Sequence, residues 1–536
     1  MRLRKRWLLG MLGAMLCQAS WVQAGPSAGD IPQRDVGEGP FARLVIRNVD
    51  IIDGTGAPIQ GPYDVVIERD RVTEIRSIGG PGGIDASKRV ASGDREIDGT
   101  GFTLLPGFID THVHLHGDND SQGVPPEYIL KLWLAHGVTT ARELGSGKPI
   151  EWMADVKRRS EANEIVAPRL DIYPFFNAIQ PGINTPALAR EAVRNARKRG
   201  ADGIKFIGSI PEDVLFAALD EAEKIGMRTT MHHSQQMVAY ANVLKTAAHG
   251  LDSMEHWYGL PEAMFTDRRL QQWPVAFNNT DEQWRFAEAG RLWQQTAEPD
   301  SERWNAVMDE LLERDFALSP TFVAYLASRD LMRMTNASWH DAYTLPALWD
   351  FYRPSRHHHG SYWFDWTAEH EIDWRNNYRL WMRFVNDYKN RGGLVGVGSD
   401  SGYIYNLYGF GYVQEMELLR EAGFSSLEVL HAATGVGAKI LGHDDRAGNV
   451  RVGRKADLVL VRGNPVANLK LLYGTGTILL DDKTDRVHRV GGVDFTIKDG
   501  IVYDAGKLRE DVRRMVSQAK IAAGLPDAPM KVEHND

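Results

Sequence analysis

Between residues 105 and 445 the chain repeats one pattern: a short apolar run that closes on polar residues, then a stretch of helical periodicity. The runs close at His114, Glu143, Tyr173, Phe206, His232, His256, Thr321 and Asp400. Alternation of this kind marks βα units around a parallel sheet, and eight of them predict an α/β chain folded as a (β/α)8 TIM barrel with insertions. Such a fold puts its site at the C-terminal ends of the strands, which is where these polar residues fall.

The flanks read differently. Residues 40–104 and 446–505 hold short strands, among them Leu44–Asp53, Asp64–Glu68, Ala456–Val461 and Val493–Ile497, with turns such as Asp53-Gly54 and Gly61-Pro62 between them. A β-rich texture at both ends predicts one small β-sandwich closed by the two termini, with the barrel (105–445) inserted and a helix and tail over 506–536. Within the barrel, 257–390 holds most of the tryptophans and the run His357-His358-His359. This stretch is expected to enlarge the loops and helices over the barrel mouth. Packing is the expected role of its aromatics, and a solvated loop that of the histidine run.

Arg2, Arg4, Lys5 and Arg6 precede the apolar segment Trp7–Trp21, and Val22-Gln23-Ala24 offers small residues for cleavage. Residues 1–24 therefore read as a secretory signal peptide, with a bacterial periplasm as the expected destination. The apolar stretch is shorter than the roughly 20 residues of a bilayer span, and no other segment is long and apolar enough to be one. Cys17 is the sole cysteine, so disulfides and thiolate ligands are excluded from the exported chain. Any metal must be held by His, Asp, Glu or a lysine derivative. The net charge of -9, more negative once the signal-peptide cations are removed, argues against nucleic acid as a partner.

The first strand, Pro106-Gly107-Phe108-Ile109-Asp110-Thr111-His112-Val113-His114, ends in a His-x-His pair. Alternate residues of a strand share a face, so His112 and His114 form a two-pronged grip for zinc or a first-row neighbour. Later strand ends add Lys205, His232, His256 and Asp400. Lys205 lies in Gly203-Ile204-Lys205-Phe206, where an unpaired ammonium would be costly to bury. His232 competes with its neighbour His233, and His256 with His249, which precedes Gly250 where a helix end is expected and a cation is favoured.

The segments PGFIDTHVH, GVTTARE, GADGIKF, TTMHHS, GLDSMEH, GVGSDSG and GRKADLVLV together resemble the amidohydrolase superfamily, in the metal-dependent branch of imidazolonepropionase-like and prolidase-like carboxamide hydrolases. The likeness covers about 40–505. It implies two divalent ions, expected to be Zn2+. His112, His114 and Asp400 would hold one side and His232 and His256 the other, with Lys205, carboxylated by carbon dioxide, between them. It further implies a bridging hydroxide, since a metal lowers the pKa of bound water from about 16 toward 7. Asp400 would then be the catalytic base that deprotonates this nucleophile and passes the proton to the departing amine.

The resulting expectation is an exported amidohydrolase acting on a small-molecule amide: a dipeptide, an N-acyl amino acid or a related carboxamide. A lactonase or other ester hydrolase could use the same site. A deaminase of the superfamily would lack the lysine and carry a glutamate soon after the fifth-strand histidine, where this chain has Ser234-Gln235-Gln236. A non-enzymatic scaffold would lack ligands. His249, Tyr258 and Tyr403 are the candidate substrate contacts, and a homo-oligomer is a possibility the sequence leaves open.

Overall fold

The computed structural model describes residues 30–80, 83–117 and 120–526; the expected signal peptide and Cys17 lie outside them. Eight short parallel strands run through the middle of the chain: β1 (Phe108–Val113), β2 (Val138–Glu143), β3 (Arg169–Ile172), β4 (Gly203–Ile207), β5 (Arg228–His232), β6 (Ser253–Glu255), β7 (Ala317–Ser319) and β8 (Leu394–Val395). They pair in sequence order, β1 to β3 as one sheet and β4 to β8 as another. Main-chain hydrogen bonds span both gaps between the sheets. Asp202 N–H donates to Ile172 O (2.9 Å) and Lys205 N–H to Pro174 O (3.1 Å), while Thr111 N–H donates to Val397 O (2.9 Å) and Asp400 N–H to His112 O (2.8 Å). Helices such as Pro126–Ala135, Ile150–Glu161, Pro186–Lys198 and Glu212–Lys224 alternate with the strands, as the periodicity predicted.

Both chain ends build one further sheet. Its strand order is 501–504, 493–498, 458–462, 102–106, 44–51, 60–68 and 71–77, with 95–98 added beside 44–51. Strand 102–106 pairs with 458–462 on one side and 44–51 on the other, so the two ends are interleaved. The expected sandwich is thus, in pairing, a single eight-stranded sheet, and 477–481 forms a separate hairpin with 486–490.

The stretch from Phe102 to Val113 serves two sheets. It breaks at Gly107, whose N–H donates to Asp457 O (2.7 Å), and a Cβ there would lie 2.1 Å from Thr139 Oγ1. Only glycine lets the chain cross from one sheet to the other at this approach. The sequence Ser425-Ser426-Leu427-Glu428 reads as a capping box and predicts a helix over 427–441, which the structure interrupts. Ser425 and Glu428 form the capping box, but Ser426–His431 passes through a π turn at Ala432–Val436 before Gly437–Leu441, which Gly442 ends at φ 73°. A Cβ on Gly435 would lie 2.7 Å from Gly54 O, so this widened turn sits against the flanking loop.

Buried charge ties the two parts together. Arg169 on β3 donates to Asp457 (2.7 Å) and Asp499 (2.7 Å), and Lys455 reaches Asp499 at 2.9 Å. Removing one partner from such a cluster strands charges that cannot be rehydrated. Arg169→Met is expected to cost about 3–5 kcal/mol of unfolding free energy, read by urea denaturation; a loss below about 1 kcal/mol would show the cluster to be dispensable.

Candidate metal centre

The six residues singled out at strand ends converge. His112, His114, Lys205, His232, His256 and Asp400 line one cavity of about 380 Å³ at the C-terminal ends of the strands. His112 and Lys205 project from within β1 and β4, His232 is the last residue of β5, and His114, His256 and Asp400 stand just past their strands. His256 and Asp400 have left-handed backbones, φ 63° and 45°. Each such residue costs on the order of 1–2 kcal/mol, a strain often found where side chains are held for function.

The hydrogen bonds fix which ring nitrogens are bare. His112 Nδ1–H donates to Glu255 Oε2 at 2.6 Å, and His114 Nδ1–H to Gly145 O at 2.7 Å. Thr321 Oγ1 gives its hydrogen to Pro320 O (2.7 Å) and therefore accepts from His256 Nδ1–H (2.5 Å). With Nδ1 protonated, each neutral ring presents Nε2 as a lone pair. Those three Nε2 atoms lie 3.5, 3.2 and 3.8 Å from Asp400 oxygens, and those of His112 and His114 are 3.3 Å apart. Converging lone pairs around a carboxylate form a cation site, and imidazole with carboxylate suits zinc and its neighbours.

The electrostatics agree. Burial drives His232 and His256 well below the usual histidine range and His112 down to about 4, which keeps these rings neutral. At His114 burial is outweighed by Asp400, which draws a proton onto the ring; a metal ion would take that proton's place. Burial opposes charge on Asp400 too, but His112 and His114 hold its carboxyl well below the usual range. Lys205 Nζ is buried without a hydrogen-bond partner, and desolvation brings it down to about 8.

Several sequence readings resolve here. His233 turns away and bonds Thr246 Oγ1 at 2.9 Å, leaving His232 to the cavity. His249 is not among the residues lining the cavity: it ends the helix Val243–Ala248, half exposed, with its ring stacked on Phe216 at 3.7 Å. Tyr258 and Tyr403 do line the cavity. Phe286, Tyr325 and Tyr362 of the insertion line it as well, whereas Trp257, Trp293, Trp304, Trp374 and Trp381 are fully buried in the core. The histidine run is an exposed loop, as expected, and its last member, His359, also reaches the cavity wall.

Glu255 went unread in the sequence, yet it organises the centre. Besides His112 it accepts from Arg142 Nη2 (2.6 Å) and Thr230 Oγ1 (2.5 Å). Burial works against its charge, but Arg142, His112 and Lys205 outweigh it and hold the carboxyl down at about 2. It is the carboxylate that orients a ligand imidazole and raises its basicity. Glu255→Gln is expected to weaken metal binding by roughly 10–100-fold, measured by competition with a chromogenic chelator; unchanged affinity would remove Glu255 from the centre.

Comparison with known proteins agrees with this geometry. A stretch of 195 residues is 29% identical to the urease subunit alpha of Sulfurisphaera tokodaii, covering 35% of this chain and 32% of that one, so the chain spans about a third of the length of this curated relative. A Xaa-Pro dipeptidase structure with methionine bound in its active site superposes with a TM-score of 0.56 at 18% identity, covering 86% of this chain and 100% of that chain. Bottromycin amidohydrolase superposes at 0.59 and 21%, covering 91% and 92%. At these identities the superpositions show a shared fold, of TIM-barrel type. The sequence model of the Amidohydrolase family matches residues 103–272 and 382–503, more than half of the chain and every one of the six converging side chains, and the chain belongs to that family.

Proposed function

We propose that the protein is a metal-dependent hydrolase that cuts a carbon–nitrogen amide bond in a small molecule. The observation that carries this reading is the set of three imidazoles, anchored through Nδ1, whose Nε2 atoms face Asp400 in a cavity shared with His232 and Lys205. The titles of the structural neighbours, a dipeptidase and an amidohydrolase, support it. His112, His114 and Asp400 would hold one divalent ion and His232 and His256 a second, with Lys205 between them as its carbamate. Bound there, zinc or a similar ion would lower the pKa of water and polarise a carbonyl.

The chain's own residues supply the rest. Desolvation brings Lys205 Nζ down to about 8, which raises the share of the neutral amine, the form that reacts with carbon dioxide, to about a tenth at pH 7. Asp400 lies within 4 Å of three ligand nitrogens and opens onto the cavity. Its carboxylate can take a proton from an attacking water and return it to the departing nitrogen, which leaves poorly until protonated. Deamination is disfavoured because Ser234, Gln235 and Gln236 line the wall where a glutamate would be required. The fold reading goes with this function: one (β/α)8 ring over 105–445 beside a domain made of both ends, exported to the periplasm after loss of residues 1–24.

Elemental analysis of the purified protein tests the centre, with about two divalent ions per chain expected and none refuting it. Asp400→Asn is expected to keep metal while losing at least about 100-fold in kcat on a panel of dipeptides and N-acyl amino acids. Near-normal turnover would remove Asp400 from the proton transfer, and cleavage confined to esters or lactones would reassign the bond.

A further inference from the structure

One element of the chain stands apart from the packed body. The hairpin of 477–481 with 486–490 is a sheet of two strands only, bounded by Gly476 (φ 63°) and Gly491 (φ 79°). Ile478, Leu479 and Leu480 follow one another along its first strand and are 59, 53 and 51% exposed, with Val487 paired to Leu480 at 49%. Successive residues of a strand point to opposite faces, so aliphatic surface open on both faces means that neither lies flat on the rest of the chain. Among the described residues no other stretch exposes two large aliphatic side chains in succession. A hairpin of two strands is barely stable alone in water, and each free edge leaves N–H and C=O groups unpaired.

The two edges differ in charge. Strand 486–490 carries Arg486, His488 and Arg489, and cations on an edge repel a further strand. Strand 477–481 reads Thr-Ile-Leu-Leu-Asp and carries none. The register fixes what this second edge accepts. Ile478 and Leu480 share a face with Arg489 and Val487, while Thr477, Leu479 and Asp481 share the other with Val490, His488 and Arg486. A second copy laid antiparallel along 477–481, with a two-fold axis at Leu479, sets Leu479 against Leu479, Ile478 against Leu480 and the Thr477 hydroxyl against the Asp481 carboxylate. On one face Val487 and Leu480 of each copy then continue into Ile478 of the other, and no like charges stand opposed. The same operation along 486–490 would gather four guanidiniums on one seam and set His488 against itself. A five-residue edge lies at the small end of protein interfaces, so the association it supports depends on concentration.

We propose that the 477–481 edge docks a second copy of this chain, the two hairpins joining into a four-stranded antiparallel sheet about a two-fold axis at Leu479. This goes beyond the amide-hydrolase reading and does not depend on it. Sedimentation equilibrium of the purified protein from about 1 to 100 µM is expected to show the mass rising to twice that of one chain. Leu479→Glu and Leu479→Lys each set like charges across the axis and are expected to weaken association at least about tenfold. An equimolar mixture of the two variants, in which carboxylate meets ammonium, is expected to restore it. In a Cys17→Ser background, Leu479→Cys is expected to crosslink to itself on mild oxidation, and Ile478→Cys to crosslink with Leu480→Cys faster than with itself. A protein that stays monomeric throughout overturns the proposal; if that monomer floats with phosphatidylglycerol vesicles, the hairpin belongs to a membrane surface instead. Assembly of any size that neither charged variant weakens, or that mixing fails to restore, also overturns it. Should the charged variants not fold, the crosslinks carry the test. Leu479→Cys that does not join itself, or Ile478→Cys that joins itself as fast as it joins Leu480→Cys, then counts against the two-fold pairing.

Discussion

Everything at the centre depends on where the imidazole protons sit. Glu255, Gly145 O and the already committed hydroxyl of Thr321 each claim Nδ1–H, so Nε2 is the nitrogen each ring turns to the others and to Asp400; it is bare on the neutral rings of His112 and His256, and on His114 it carries a proton that a cation would displace. Such an arrangement is electrostatically poor until a cation fills it. The folding energy that imposes it comes from the surrounding structure, which makes metal binding and local order one linked equilibrium.

The surrounding structure is built for close approach. Asp400 follows a strand of only two paired residues, and its register on β1 is set by its own N–H to His112 O and by Asp110, whose Oδ1 accepts from the N–H groups of His112 (3.1 Å) and Ser399 (3.0 Å). A Cβ at Gly398 would lie 2.8 Å from that of His112. Glycine at this point lets the eighth strand run against the first, which brings a carboxylate from one end of the central region to a histidine pair from the other. Burial raises Asp110 to about 7, a cost accepted for bridging the seam.

The sequence revealed what strand geometry controls. His112 with His114, and His232 rather than His233, follow from the two-residue period and from position at a strand end. The same rule concealed Glu255, because neighbours on a strand should point to opposite faces and His256 already occupied the inner one. The left-handed backbone at His256 breaks that alternation, so adjacent side chains serve one site. The change of sheet, expected between residues 104 and 105, falls at Gly107, a single backbone position that redirects the chain. Arg285, which lines the cavity, had no periodic motif around it, and its place there depends on tertiary packing.

That packing gives the tryptophans of the insertion a role that composition could not assign. They do not line the cavity; they hold the segment that does. Trp374 Nε1–H donates to Phe286 O at 2.9 Å and Trp366 Nε1–H to Gln283 O at 3.1 Å, while Gln283 Oε1 accepts from Phe364 N–H at 2.9 Å. These bonds clamp the short helix Glu282–Ala289, which carries Arg285, from both of its neighbouring segments. A helix of this length has little stability of its own, so its position is set by those indole donors and by the rings packed around them. Selectivity can therefore change by substitution on this clamped wall while the imidazole–carboxylate floor, held by separate hydrogen bonds from the strand ends, stays in place.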